Sequence, residues 1–560
     1  MRRLRLAATT CVVTLVSGAC SGSSNATTTS GAEATETAIT SAIDRQQFDR
    51  FAAQMDYLRE QLRIPAMSVA VVQDQELVWA EGFGYADLHE EVPATADTPY
   101  HLASVTKPVA ATVLMQLVEE GELALDDTVD RYGVELDRAS EIEVQHLLTH
   151  TSAGVPGEVH LYDGNRYAQL GKVIEAVTGR TFRGVMYERL IEPLGMTSTT
   201  GNTPACDEVV PEEIAAAEAA VRRDMARPYQ LDRDYEVVAS DYPTAYNPGA
   251  GLISSVVDLA AFDIALDRGQ LLGEATKAKM LTPVVSTFQD SSELRYGLGW
   301  YVQDFEGTRI EWHAGRWPPS VSALYLRVPD YGLTFIVLGN TPNLSTPFPL
   351  GDGDALASTL ALAFYREFVF PRLHDASLPV VDWEAEEAEL VAQLAEITDD
   401  DIRRFVQREL WSYRRLFFSV GRLDVVSRLQ HVRDQVFGEA VALSTYLASA
   451  ADEPPEPRVE VSAADLEPLV GTYVLDADAS EWPADLGEDP SASVRVWLEA
   501  GSLVACTPEG PPSILTPIGP ARFRTSDGFY IEGHVVGGEV QSFEARLSDI
   551  VSLVYVPAGG

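Results

Sequence analysis

The sequence predicts an α+β body, then a helical spacer, then a small all-β barrel. Two β-rich groups stand at opposite ends of a mostly helical stretch that runs to Phe370, the pattern of one sheet closed by segments distant in the chain. From Glu384 to about Ala450 the residues are charged and helix-favouring. Past Pro454, short β-rich runs alternate with Gly, Pro and Asp turns. A length of 560 residues suits about three domains at roughly 100–200 residues each.

The amino terminus has the features of an address. Arg2, Arg3 and Arg5 precede an apolar stretch, Leu6 to Val16, that is too short to span a bilayer. Ser17-Gly18-Ala19 leads into Cys20 and a flexible run rich in Ser, Thr and Gly. This resembles a bacterial lipoprotein signal, which implies export and lipidation of Cys20. Ser17 departs from the aliphatic residue usual there, and Ser17-x-Ala19 also suits ordinary signal peptidase. The expected division is a signal peptide at 1–19, a tether at 20–42, the main body at 43–372, a helical spacer at 373–453 and a β-barrel at 458–560.

Within the body, Phe48, Phe51, Met55, Leu58 and Leu62 recur at helical spacing. Met67 to Val72 and Glu76 to Ala80 suit a hairpin turning at Gln73-Asp74-Gln75. Val105 to Glu120 is a helical run that Gly121 ends. A second β-rich group comprises Tyr296 to Val302, Ile310 to His313, Val321 to Val328 and Leu333 to Leu338. In the spacer, Leu390, Val391 and Leu394 mark a helix face that packs on a neighbour or, alternatively, binds a partner. Pro454-Pro455-Glu456-Pro457 is a stiff linker. Gly471 to Val474, Val494 to Leu498 and Phe529 to Ile531 are barrel strands.

Apolar residues make up 46% and charged residues 22%, a globular mixture that excludes wholesale disorder, collagen and coiled-coil fibres. The 84 acids and 41 bases leave a net charge of −43, which repels phosphate backbones and argues against a nucleic-acid partner. The lysines are only Lys107, Lys172, Lys277 and Lys279. Such a surface suits a salty medium, a hypothesis that full stability without added salt would contradict. Cys11, Cys20, Cys206 and Cys506 make no disulfide framework; the last two are far apart and expected unpaired. No later apolar run reaches membrane-spanning length, so membrane contact is expected only through Cys20.

Several common chemistries lack their motifs. There is no Gly-x-Ser-x-Gly, His-Glu-x-x-His, Walker A or Gly-x-Gly-x-x-Gly sequence. His146 and His150 stand four apart but have no nearby acidic ligand, so a structural role is expected and no metal or cofactor. What remains is Ser104-Val105-Thr106-Lys107 at the opening of a helix. Three-residue spacing brings the amine beside the hydroxyl, and the helix N-terminus favours an alkoxide. A serine hydroxyl is a weak nucleophile until a base takes its proton. Lysine serves only if burial or another cation lowers its pKa from roughly 10.4 towards 7–8. Alone, the motif also fits a helix cap beside a solvated lysine.

Its context is more specific. Tyr100 to Pro108, Leu117 to Leu123, Leu125-Asp126-Asp127, His146 to Ser152, Glu192 to Met196, Gly249 to Leu252 with Asp258-Leu259, Tyr296 to Trp300, and His313-Ala314-Gly315 with Val337 to Asn340 occur in order. Together they resemble the beta-lactamase-related serine hydrolases, which include class C beta-lactamases, D-specific peptidases and carboxylesterases. The resemblance covers about Ile43 to Phe370. It implies a beta-lactamase-like catalytic domain, with an antiparallel sheet, helices on both faces and an all-helical lobe. The terminal barrel resembles the lipocalin-like appendages of some relatives.

The resemblance also implies a Tyr-x-Asn element, and none exists here. Alignment on Tyr167, Leu170 and Gly171 puts Tyr162 at the tyrosine and Gly164 where the amide belongs, with Asn165 one residue late. Tyr162 is then a general base or proton relay, its phenol made more acidic by Lys107, or else a tyrosine packed on the wall. In relatives the amide holds the substrate's acyl-amide, so its absence disfavours lactams and peptides. His313-Ala314-Gly315 matches the strand bordering the site. His313 would bond the Tyr–Lys network or the leaving group, or be a buried histidine satisfied by a carbonyl. Gly315 would let substrate approach the strand, and the N–H groups of Ser104 and Arg316 would form the oxyanion hole. Arg316 to Ser320 replaces the usual glycines and implies a bulkier, aromatic rim.

The expected function is a serine hydrolase acting through an acyl-enzyme on Ser104, esterase-like or broad, on a small-molecule or peptide substrate. A D-amino-acid peptidase, carboxypeptidase or beta-lactamase is the alternative. A non-catalytic envelope binding protein is a third possibility, whose signature would be a lost Ser or Lys; both are present.

Overall fold

The computed structural model describes residues 30–437 and 466–558, less short connections at 203–209, 211, 233–234, 241, 244, 289–290 and 318–319 and turns between barrel strands. The leader 1–19, Cys20, Cys206 and the Pro454–Pro457 linker lie outside the described residues. The chain divides into residues 1–49 and 50–560, and the contacts that follow belong to the second unit, which takes α1 only from Arg50 on.

Its body is built on a nine-stranded antiparallel sheet. In chain order the strands are β1 (Ala66–Gln73), β2 (Glu76–Asp87), β3 (Val92–Pro93), β4 (Val285–Ser286), β5 (Leu294–Tyr296), β6 (Tyr301–Phe305), β7 (Thr308–Trp317), β8 (Val321–Val328) and β9 (Leu333–Gly339). Their order across the sheet is β3-β2-β1-β9-β8-β7-β6-β5-β4. The closure by distant segments is the β1–β9 pair, in register from Met67 opposite Gly339.

Strands β8 and β9 are buried at every residue, because both sheet faces are covered. On one face Phe335 meets Phe51 of α1 (Ser30–Gln61) and Phe364, with centroids 5.9 and 4.9 Å away. On the other, Ile336, Leu338, Ala70 and Tyr325 join the core of the helical side. That side holds α2 (Thr106–Glu119), α3 (Gly164–Ala168) and α4 (Val256–Asp267), the last packed on β1 and β9. Gly121 follows α2 at φ 76°, the left-handed conformation that ends a helix.

Three helices follow the body: α5 (Glu387–Ala395), α6 (Asp400–Ser419) and α7 (Leu423–Phe437). Of these, α6 packs on it, Arg408 bonding Asp354 at 2.6 Å with both buried, and Phe405 lying against Tyr365 and Phe370. The C-terminal region is a closed eight-stranded barrel, Gly471–Leu475 pairing with Val551–Pro557. Closure leaves no strand edge, and Tyr473, Leu503, Phe523 and Phe543 fill the interior.

Three elements differ from expectation. The first is α1, which begins at Ser30 inside the segment 20–42 expected as a tether. The hairpin turns on Asp74 and Gln75 alone, both at positive φ, which suits the twist of the flanking strands. The run Tyr296 to Val302 is two strands with a turn between them. There Gly299, at φ 81°, lets the chain pass the Tyr167 hydroxyl, to which an added β-carbon would stand 2.7 Å away.

Candidate active site

The short strand Tyr100–His101 pairs with Leu252–Ser254, and the Leu102 N–H donates to the Leu252 carbonyl at 2.8 Å. His101 Nδ1 then accepts the Ala103 N–H at 3.0 Å, and Ala103 takes φ 45°, strained for a residue with a β-carbon. This elbow places Ser104 in a 3₁₀ turn, Ala103–Val105, rather than at the start of the α-helix as its spacing predicts. Just before the turn, the Leu102 carbonyl packs closely on Gly315 of β7. At the opening of the turn the Ser104 N–H has no acceptor within the turn.

One turn on, Lys107 is 1% exposed. Its Nζ donates to Ser104 Oγ at 3.1 Å and to the Gly249 carbonyl at 2.9 Å. It also lies 4.7 and 5.2 Å from the ring centroids of Tyr162 and Tyr167. Burial pushes the amine down to about 7, against a smaller upward pull from Asp163. An amine near that value is part neutral at neutral pH and can accept a proton.

Tyr162 is 41% exposed as a whole residue at the mouth of the cluster, but its hydroxyl end is buried and bonds the Ser104 side chain. The phenol is not made more acidic on balance. Burial among the rings of His150, Tyr301 and His313, with the Asp163 carboxylate nearby, raises the phenol well above its ordinary value. The Tyr162 hydroxyl therefore keeps its proton at neutral pH, whereas the Lys107 amine is part neutral there.

His313 is buried, with Nε2 3.0 Å from the Tyr296 hydroxyl and Nδ1 2.6 Å from the Ala314 carbonyl. Both nitrogens are thus engaged by groups other than Lys107 and Tyr162. Burial pushes it down to about 3, so it is neutral. The space at Gly315 is likewise not left for substrate: a β-carbon there would stand 2.1 Å from the Leu102 carbonyl. Beyond Trp312, β7 has no β6 partner and instead runs beside the Ala103–Val105 turn, bringing exposed Arg316 to the same edge as Ser104.

Three residues escaped sequence reasoning. Gly249 lies in a matched segment, yet only the fold brings its carbonyl to Lys107. Asp163 caps α3, accepting the N–H groups of Asn165 and Arg166 at 2.8 and 3.0 Å, while its Oδ2 is buried without a hydrogen bond. His150 accepts the Asp163 N–H at Nδ1 (3.1 Å), and its carbonyl accepts the Leu161 N–H at 2.7 Å. His146 Nδ1 accepts the Glu143 N–H at 3.0 Å, and among the described residues no group of His, Cys, Asp and Glu forms a metal site.

The family model for beta-lactamase matches residues 48–357. The chain belongs to the beta-lactamase family of serine hydrolases. Similar family members include penicillin-binding protein 4* of Bacillus subtilis, 26% identical over 49% of this chain and 67% of that protein. A putative D-alanyl-D-alanine carboxypeptidase of Escherichia coli is 25% identical over 46% and 71%. The D-aminopeptidase of Brucella anthropi is 25% identical over 45% and 51%, so the chain spans about half the length of that relative. The octameric penicillin-binding protein homologue of Pyrococcus abyssi shares the fold, with a TM-score of 0.51 at 18% identity over 90% of this chain and 99% of that one.

Proposed function

We propose that this beta-lactamase-family hydrolase works through an ester on Ser104 and acts on esters or on a broad set of acyl substrates. The observation that carries the proposal is the 3.1 Å contact between the Ser104 hydroxyl and a buried amine pushed down to about 7. Neutral Lys107 takes the Ser104 proton as the oxygen bonds the substrate carbonyl carbon. The resulting oxyanion accepts from the N–H groups of Ser104 and Arg316. Tyr162 then donates its proton to the departing alkoxide oxygen and is reprotonated by the Lys107 ammonium. In the second half water attacks the acyl-enzyme as neutral Lys107 takes its proton, and Lys107 passes that proton to the Ser104 oxygen as the acyl–oxygen bond breaks and the acid leaves. His313 supports the Tyr296 hydroxyl beside this cluster without touching substrate.

The ester preference is supported by Gly164, which stands where relatives place an amide. A β-carbon built on it meets nothing within 4 Å, so there is open space where an acyl-amide would otherwise be gripped. The relatives named for D-alanyl and D-amino peptide substrates favour a second reading, a peptidase or amidase. Export through the leader, anchored at Cys20 and followed by work in the cell envelope, accords with relatives named penicillin-binding proteins. The test is intact-mass detection of an acyl adduct across nitrophenyl esters, D-Ala-D-Ala peptides and a chromogenic cephalosporin. An adduct with esters that is absent in Ser104→Ala is expected. An adduct that persists in Ser104→Ala sinks the assignment, and one formed only with peptides or the cephalosporin transfers it to the second reading.

A further inference from the structure

We propose that His150 is a positioning residue for Tyr162, holding it against Ser104 by bonding the chain on both sides of it. The inference rests on the serine chemistry proposed above. Residues 153–163 have no helix or strand to fix them, and Tyr162 stands at the open side of the cluster. Its two neighbours in the chain are tied to one residue. The His150 carbonyl accepts the Leu161 N–H at 2.7 Å, and Nδ1 accepts the Asp163 N–H at 3.1 Å. Between these bonds, the imidazole lies under the Tyr162 ring, centroids 4.2 Å apart and planes tilted 30°.

Three further features suit a clamp. His150 takes φ 53°, a conformation that turns its ring back under the loop and that His, Asn and Asp adopt more readily than other side chains. Because Nδ1 accepts, the proton of the neutral ring sits on Nε2, which is buried with no hydrogen-bond partner among the described residues. A buried donor left unpaired is a cost, so the ring's place is fixed by what Nδ1 and the stacking hold. The same ring lies 5.2 Å from that of Tyr167, whose hydroxyl donates to the Lys107 carbonyl at 3.3 Å. His150 therefore joins the base helix to the relay loop without touching Ser104.

The experiment is a double-mutant cycle on the full chain. His150→Phe keeps a ring and removes the acceptor, whereas His150→Asn keeps an acceptor near the Nδ1 position and tolerates the positive φ. Turnover of a nitrophenyl ester is measured in the wild-type and Tyr162→Phe backgrounds. We expect His150→Phe to lower kcat by about tenfold or more with KM changed less than about twofold, and His150→Asn to stay within about threefold of wild type. In the Tyr162→Phe background the His150→Phe loss should nearly vanish, because it acts through a hydroxyl already gone. An equal loss in both backgrounds, or Asn no better than Phe, overturns the inference and leaves the proposed function standing. A Tyr162→Phe enzyme as active as wild type overturns the inference together with the relay role of Tyr162, while the acyl-enzyme on Ser104 is judged by its own adduct test. If thermal melts show that His150→Phe does not fold, His150→Gln, whose amide reaches the Nε2 position, takes its place in the cycle.

Discussion

The carbonyl oxygen of Leu102 lies so close to Gly315 that a β-carbon added there would stand 2.1 Å from it. This contact lets the Ser104 elbow and the end of β7 share one edge, and any side chain at 315 must push them apart. Gly315→Ala should cut the rate of phosphonate labelling at Ser104 by about 100-fold and destabilise the fold by about 1–3 kcal/mol. Wild-type labelling kinetics with an unchanged melt would show that the contact does not shape the site.

Lys107 sets the pH response. With its amine near 7, kcat/KM should rise with pH through that value as the neutral form appears. The groups around it do not titrate there: His150 and His313 are held neutral by burial, and Tyr162 and Tyr167 are raised. Stability follows the same sign. The unfolded lysine, at its ordinary 10.5, binds a proton that the folded one has lost, so Lys107 disfavours folding fully below about pH 7 and ceases to do so above about 10.5. The buried amine is destabilising on the order of 5 kcal/mol at low pH, part of it recovered by its hydrogen bonds. Lys107→Met should therefore abolish turnover while raising the melting temperature at pH 6. Retained turnover would remove Lys107 from the chemistry.

Asp163 adjusts that base. Its carboxylate raises the Lys107 pKa, and Asn at 163 would keep the helix-cap acceptor while removing the charge. The acid limb of the kcat/KM profile should move to lower pH in Asp163→Asn, with the thermal melt changed by less than about 1 kcal/mol. A limb that stays in place, or moves upward, would show that the carboxylate does not act on the amine.

The acidic surface makes its own prediction. At a net charge of −43 the compact state is opposed by self-repulsion, which salt screens. Raising sodium chloride from about 0.1 to 1 M shortens the screening length from roughly 10 to 3 Å and should raise the melting temperature by several degrees. A flat or falling melt would count against adaptation to a salty medium.

Much of the fold was legible because its signals are local or repetitive. The two-faced burial of β8 and β9 shows as largely apolar runs, interrupted only by Ser322, Arg327 and Thr334, and Gly121 marks the end of α2 in the sequence itself. The 3₁₀ turn at Ser104 was not legible, and nothing in Ala103-Ser104-Val105 announces that a carbonyl two residues before the serine packs on a glycine more than 200 residues later. The role of His150 was equally hidden, because its partners Leu161 and Asp163 lie in a loop with no periodicity to read.

What the sequence by itself determined is the pairing of hydroxyl and amine, because helical geometry brings residues three apart together whatever surrounds them. Only the tertiary structure decided the chemistry of that pair. Burial beneath Tyr162 and Tyr167, with the Gly249 carbonyl taking one amine hydrogen, brings Lys107 down to about 7 instead of leaving it a surface cation. Desolvation is a property of everything packed around a group, and it is written nowhere in the group's own neighbourhood of the chain.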